Sequence, residues 1–192
     1  FATSRGARES IYVFFDIGGG TLDGAAFQLY RKNGAMTVNF LSGKVEPLGV
    51  MALAKNIERK LPDKHKFSLD DIAEVIVLRK AKGIVDSFFK EFRGKIYTFV
   101  GTVIDTARRK DRKNWREDLR VSSDLPTPFF VPIKEKDIRP LPVFLGGGGS
   151  VSSFYQNTIA DTYHRLGHKN CRIPPYALTS IPKPSQLEMG LL

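Results

Sequence analysis

The sequence has almost no cysteine: Cys171 is the only one in 192 residues. A single thiol excludes an internal disulfide and any cysteine-rich metal site. Nothing beside Cys171 would lower its pKa, so it reads as an inert small side chain rather than a nucleophile. Histidine is scarce as well. His164 and His168 stand four apart, a spacing that could clamp a metal, but no H-E-x-x-H pattern or third ligand accompanies them, and with His65 they read as charged-context or helix-end residues. No apolar run approaches the roughly 20 residues of a membrane-spanning helix, and no charged-then-apolar signal segment opens the chain. The simplest expectation is a cytoplasmic protein with no membrane partner.

What is present is ordinary in proportion and uneven in distribution. A hydrophobic fraction of 42% and a charged fraction of 26% suit a globular chain long enough for one domain, or a domain with a small subdomain. The formal net charge of +10 favours polyanionic partners such as ATP, acidic proteins or nucleic acid. Much of the excess is local, with seven basic residues against three acidic ones between Arg108 and Arg120. Only Trp115 is interleaved there for stacking on bases, so the segment reads as a solvated helix end and loop, and nucleic acid is not the expected partner.

The densest pattern is Asp16-Ile17-Gly18-Gly19-Gly20-Thr21-Leu22-Asp23. The apolar run Ile11 to Phe15 before it has the length and the β-branched and aromatic content of a strand buried on both faces, which Asp16 is expected to end. Leu22 to Tyr30 reads as a second strand, making a hairpin with the glycines at the bend. Glycine has no Cβ, so Gly18, Gly19 and Gly20 can turn sharply and let a large anion reach the backbone N–H groups. Two carboxylates beside such a cradle would repel a bare phosphate. They fit if a divalent cation or a water lies between them and the phosphate oxygens.

Further along, Ala35 to Ser42 reads as a third meandering strand. From Leu48 to Leu61 apolar residues recur at helical spacing, ending at Pro62. Gly49, in the first turn of that helix, is either a point of close ligand approach or a simple helix-start glycine. Asp63 to Lys82 is charged and short, enough for a helix and an extended piece, and belongs to a small inserted subdomain at about 44–82. Ile84, Phe88, Phe92, Ile96, Phe99, Val103 and Ala107 then mark one long amphipathic helix whose aromatic stripe is core. Leu141 to Leu145 is a strand, Gly146, Gly147, Gly148, Gly149 and Ser150 follow it, and Val151 to Leu166 is a helix. A glycine bend between a buried strand and a helix brings backbone amides and a helix N-terminus to a ligand. Tyr176 to Ile181 reads as a last strand, with a helix beginning after Ser185.

The motif D-x-G-G-G-T-x-D after a buried strand resembles the second phosphate-binding motif of the actin and heat-shock chaperone ATPase superfamily. A short apolar strand, a G-G-x-[ST]-like bend and a helix, set downstream of a long helix, resembles that superfamily's adenosine motif. The order of elements is similar to the second lobe of an actin-like ATPase, a ribonuclease-H-like α/β fold with a mixed sheet flanked by helices. In this reading residues 1–9 are a lead-in linker and residues 10–192 the lobe. The resemblance implies that Asp16 holds Mg²⁺ through water, that Gly18, Gly19, Gly20 and Thr21 wrap the β- and γ-phosphates of ATP or ADP, and that Asp23 helps position the attacking water. Asp16, Thr21 and Asp23 are thus the candidate catalytic residues. It also implies that Gly146 to Ser150 pass under the ribose and adenine, with Gly49 and Arg79 or Lys80 closing the other side of the base. The bend departs from the family in carrying an extra glycine, and Val151, Ser152 and Ser153 stand where many chaperones have an arginine that stacks on adenine.

In this superfamily the nucleotide lies between two lobes. The chain opens on Phe1 rather than methionine, so it is expected to be a piece of a longer protein whose first lobe completes the cleft, and alone it should hydrolyse ATP little. The expected function is a chaperone-like ATP-driven switch acting on a protein client. The alternatives are a filament-forming, self-associating actin-like protein, or a non-catalytic module that binds through the basic segment.

Overall fold

A computed structural model describes residues 9–61, 68–78, 86–110, 141–166 and 176–180. Three antiparallel strands come first: β1 (Ser10–Ile17), β2 (Leu22–Lys32) and β3 (Ala35–Glu46). Helices α1 (Val50–Glu58), α2 (Leu69–Leu78) and α3 (Asp86–Lys110) follow. The chain returns through β4 (Leu141–Gly146), a 3-10 turn (Gly148–Val151), α4 (Ser153–Leu166) and β5 (Tyr176–Ser180). The strands form one mixed sheet in the order β3-β2-β1-β4-β5, with β4 parallel to both β1 and β5. Among the described residues no helix is long and apolar enough to cross a membrane.

Alternation of side chains decides which face of the sheet carries the main core. Ile11, Val13, Phe15 and Ile17 of β1 are all fully buried, and the long helix α3 lies on their side. Its stripe of Phe92, Ile96, Phe99, Val103 and Ala107 is buried with Val100 and Ile104, as the helical spacing predicts. Phe15 and Phe99 meet with ring centroids 6.2 Å apart. Gly24, the β2 partner of Phe15, leaves room for this contact: a side chain there would start 3.0 Å from Phe15, Phe99 and Val103. Ser42 fixes the helix further by donating to the Val103 carbonyl at 2.6 Å. On the opposite face, Tyr12 stacks across the strands on Phe27 and Phe144.

Several boundaries differ from the sequence reading. Asp16 does not end β1; the strand continues to Ile17 because it is central and paired on both sides, Asp16 with Asp23 of β2 and with Gly146 of β4. β3 runs four residues beyond Ser42, to Glu46. The segment after β4 first makes a 3-10 turn, with Ser150 donating to the Gly147 carbonyl, so the helix begins at Ser153 rather than Val151. Helix α2 is capped by Ser68 and Asp71, whose side chains each accept from the other's backbone N–H at 3.1 and 3.0 Å. The Ser68 hydroxyl also donates to the Asp71 carboxylate at 2.7 Å, and this bond, followed by the one from the Ser68 amide, holds the carboxylate below its ordinary value. The residues around Cys171, the three histidines and Trp115, the lead-in before Glu9, residues 62–67 and 79–85, Ile84 and Phe88 of the expected stripe, and the chain after Ser180 lie outside the described side chains.

Candidate functional site

β1 and β4 are adjacent and parallel, so the two glycine bends that follow them emerge side by side at the same edge of the sheet. The carboxyl ends of parallel strands, where connections leave in different directions, form the usual ligand crevice of open α/β sheets. The sequence alone separates these bends by over a hundred residues; the sheet register joins them at Asp16 and Gly146.

Asp16 and Asp23 are directly opposite each other on β1 and β2, and both are half-buried. Facing residues of an antiparallel pair have Cβ atoms about 4.5–5.5 Å apart, and like charges so placed repel. Among the described residues neither carboxylate forms an ion pair. Asp23 accepts a hydrogen bond from the Thr21 hydroxyl at 3.0 Å. No third acidic, histidine or cysteine ligand joins them among the described residues. A divalent cation here would relieve the repulsion and would take most of its ligands from water or from a bound anion, which suits a hard, oxygen-liganded ion.

The glycine loop is shaped by α1. The amides of Gly49, Val50 and Met51 donate to the carbonyls of Gly20, Gly18 and Gly19 at 3.3, 3.0 and 2.7 Å, and the Gly18 amide donates to the Thr21 carbonyl at 2.9 Å. The start of α1 is therefore spent on the loop itself. Across a planar trans peptide the C=O and the next N–H point in opposite directions. With the carbonyls of Gly18 and Gly19 drawn toward α1, the amides of Gly19 and Gly20 are turned away from it. Gly20 has no neighbouring atom within 4 Å of where a side chain would be, and Gly19 has only the Met51 Cγ at 3.7 Å. The result is a pair of outward amides beside two carboxylates, a donor set suited to an anion.

Gly49 occupies a different place from an open ligand wall. A side chain on it would start 2.5 Å from the carbonyl oxygens of Gly18 and Gly19 and 2.6 Å from the Thr21 amide nitrogen, so its lack of Cβ admits the loop backbone. In the second bend, Gly147 has φ 78° and its α-carbon lies against the Asp16 carboxylate and the Ile17 carbonyl. Gly146 sits under the Phe14 ring, where a side chain would start at 2.8 Å, and Gly149 packs on Ile17 and Val50. Gly148 alone of the four faces open space. Ser150 is buried, and its carbonyl accepts from the Gln156 side chain at 2.8 Å. Arg79 and Lys80 lie outside the described residues.

Sequence reasoning missed Tyr155 and Ser152. Both are fully buried in or beside the first turn of α4; Tyr155 donates to the Leu48 carbonyl and Ser152 to the Ile76 carbonyl, each at 2.9 Å. A buried tyrosine at helical spacing looks like core, and its distant acceptor leaves no mark on the local pattern.

A meander of three strands, a helical crossover and two further parallel strands in the order 3-2-1-4-5 make this a ribonuclease-H-like fold. The chain is similar to a non-polymerisable quadruple mutant of the ParM protein pCBH (14% identity, TM-score 0.48), covering 96% of this chain and 47% of that one. It is also similar to a ParM filament from Clostridium botulinum (14%, TM-score 0.45, 92% and 42%) and to the ethanolamine utilization protein EutJ from Carboxydothermus hydrogenoformans (18%, TM-score 0.42, 91% and 44%). The chain thus spans less than half the length of these proteins. No protein-family model and no curated protein sequence matches it.

Proposed function

We propose that this chain is a nucleotide-binding lobe that holds the phosphates of Mg-ATP or Mg-ADP on the Gly18–Thr21 loop and the adenosine along Gly146–Ser150. The observation that carries this reading is the pair of outward amides, Gly19 and Gly20, set beside the facing carboxylates of Asp16 and Asp23. The amides would stabilise phosphate oxygens, and Asp16 would hold Mg²⁺ through water, the cation supplying positive charge that offsets the repulsion between the two acids. Thr21 fixes the Asp23 carboxylate by its hydroxyl, which leaves the other carboxylate oxygen to orient a water. Gly148, facing open space next to Gly147, is the natural surface for the sugar and base. Gly49 contributes by fixing the loop, and Arg79 or Lys80 would close the far side of the base.

Gly20 and Gly148 have no described atom within 4 Å of their side-chain positions, which fits a site that is one wall of a cleft. We infer that a further lobe supplies the other wall, and that hydrolysis requires it, because phosphoryl transfer depends on charges arranged all round the γ-phosphate. Closure of such a cleft on nucleotide is the basis of a chaperone-like switch. Isothermal titration with ATP, with and without Mg²⁺, tests the binding reading: metal-dependent binding that Asp16→Asn weakens supports it, and indifference to both metal and substitution defeats it. Nucleotide-dependent pelleting separates a filament-forming protein, which sediments, from a switch that does not.

A further inference from the structure

Tyr155 stands in the first turn of α4, directly downstream of the second glycine bend, yet its hydroxyl bonds to the entrance of α1. The donor and acceptor, Tyr155 and the Leu48 carbonyl, are 107 residues apart in sequence and 2.9 Å apart in space. The Leu48 carbonyl and the Gly49 amide are two ends of one rigid peptide unit. That same Gly49 amide donates to the Gly20 carbonyl, and the Gly20 carbonyl is in turn the other end of the peptide unit carrying the Thr21 amide. A continuous series of hydrogen bonds and planar peptides therefore runs from α4 to the first glycine loop, and each dipole in it polarises the next. Burial pushes the Tyr155 hydroxyl well above its ordinary pKa, so it remains a neutral donor.

We propose that Tyr155 is a positioning residue for anion binding: through the Leu48–Gly49 peptide it sets the orientation of the Gly18–Thr21 loop and links that loop to the Gly146–Ser150 bend from which its own helix springs. The proposal rests on the nucleotide-binding reading and adds to it a specific route between the two halves of the ligand. The bond from the Ser152 hydroxyl, just before α4, goes to the Ile76 carbonyl in α2 instead and touches neither bend's backbone. It supplies the control.

The test uses Tyr155→Phe, which keeps the ring and removes one oxygen, and Ser152→Ala, both in the full chain. Affinity for Mg-pyrophosphate, Mg-ATP and adenosine is measured by calorimetry, and hydrogen exchange of the peptide spanning residues 17–23 by mass spectrometry. Tyr155→Phe is expected to weaken pyrophosphate and ATP by about 3- to 10-fold, the range of one lost hydrogen bond. It should speed exchange in the loop and leave adenosine within about twofold, while Ser152→Ala does none of this. Unchanged pyrophosphate affinity with unchanged exchange overturns the proposal. So does an equal loss for adenosine, or the same selective loss in Ser152→Ala, since either reports general loosening of α4. If the unsubstituted chain binds none of the three ligands, the nucleotide reading fails by itself. The exchange comparison then decides the Tyr155 link alone, faster loop exchange in Tyr155→Phe supporting it and unchanged exchange removing it.

Discussion

The α-carbon of Gly147 rests against the carboxylate of Asp16, so the second glycine bend forms part of the wall that orients the acid of the first. A methyl group there would overlap the Asp16 Oδ1 and the Ile17 carbonyl, and it would sit at φ 78°, a conformation that side chains disfavour. Gly147→Ala is expected to cost about 1–3 kcal/mol in urea unfolding and to lose metal-dependent nucleotide binding. Gly148→Ala, one residue away and facing open space, should stay within about 0.5 kcal/mol of the parent. Equal destabilisation by the two would contradict the assignment of Gly147 to the wall.

Gly24 tests the packing that supports the site from below. Its side-chain position is bounded at 3.0 Å by Phe15, Phe99 and Val103, which join the central strand to α3. Gly24→Val overfills this contact and should destabilise by about 1–3 kcal/mol, read as a lower thermal midpoint. A midpoint equal to the parent's would mean that α3 does not press on the sheet here.

The fold is legible in the sequence where the physical signal is local. The apolar run of β1 and the stripe of α3 each announce their burial, and the D-x-G-G-G-T-x-D motif marks a bend that the sheet indeed brings beside Gly146. The fold is not legible where a long-range partner decides. Asp16 looks like a strand end because it is charged, yet Gly146 and Asp23 on either side carry the strand through it. Gly49 admitted two local interpretations, and its close neighbours are the carbonyls of a loop thirty residues earlier. Tyr155 gave no signal, since its role lies in the acceptor it finds and not in its spacing.

The Glu91 carboxylate is held below its ordinary value of 4.5, first by the hydrogen bond from Lys60 and then by Lys95. Because the folded value is the lower one, its contribution to stability is present above the ordinary value and is lost as pH falls through the folded value. The group is exposed, so the effect is small and fades with salt. NMR titration should show Glu91 moving upward in Lys60→Met; no movement would mean that the Lys60 contact does not persist in solution.

A reading in which the chain acts only through its basic face makes a different demand on Arg109. Its side chain is 71% exposed and pairs with Asp105 at the end of α3, where the neighbouring Lys110 donates to the Phe40 carbonyl. Phe40 is paired with Phe27, four residues along β2 from Asp23 and so about 13 Å from it at about 3.3 Å per residue. Arg109→Glu is expected to leave Mg-ATP affinity within about twofold at physiological salt, where charges beyond about 8 Å are largely screened. A large loss of nucleotide binding would bring the basic face into the site.

Calorimetric titration of the chain with ATP in Mg²⁺ and in EDTA, for the parent and for Asp16→Asn, tests the central claim most directly. The account predicts saturable binding in Mg²⁺, and a loss of about tenfold or more both on chelation and on substitution, with the fold retained by circular dichroism. Binding that is equally strong without the metal and without the Asp16 charge, or no binding by the folded parent in Mg²⁺, would contradict it.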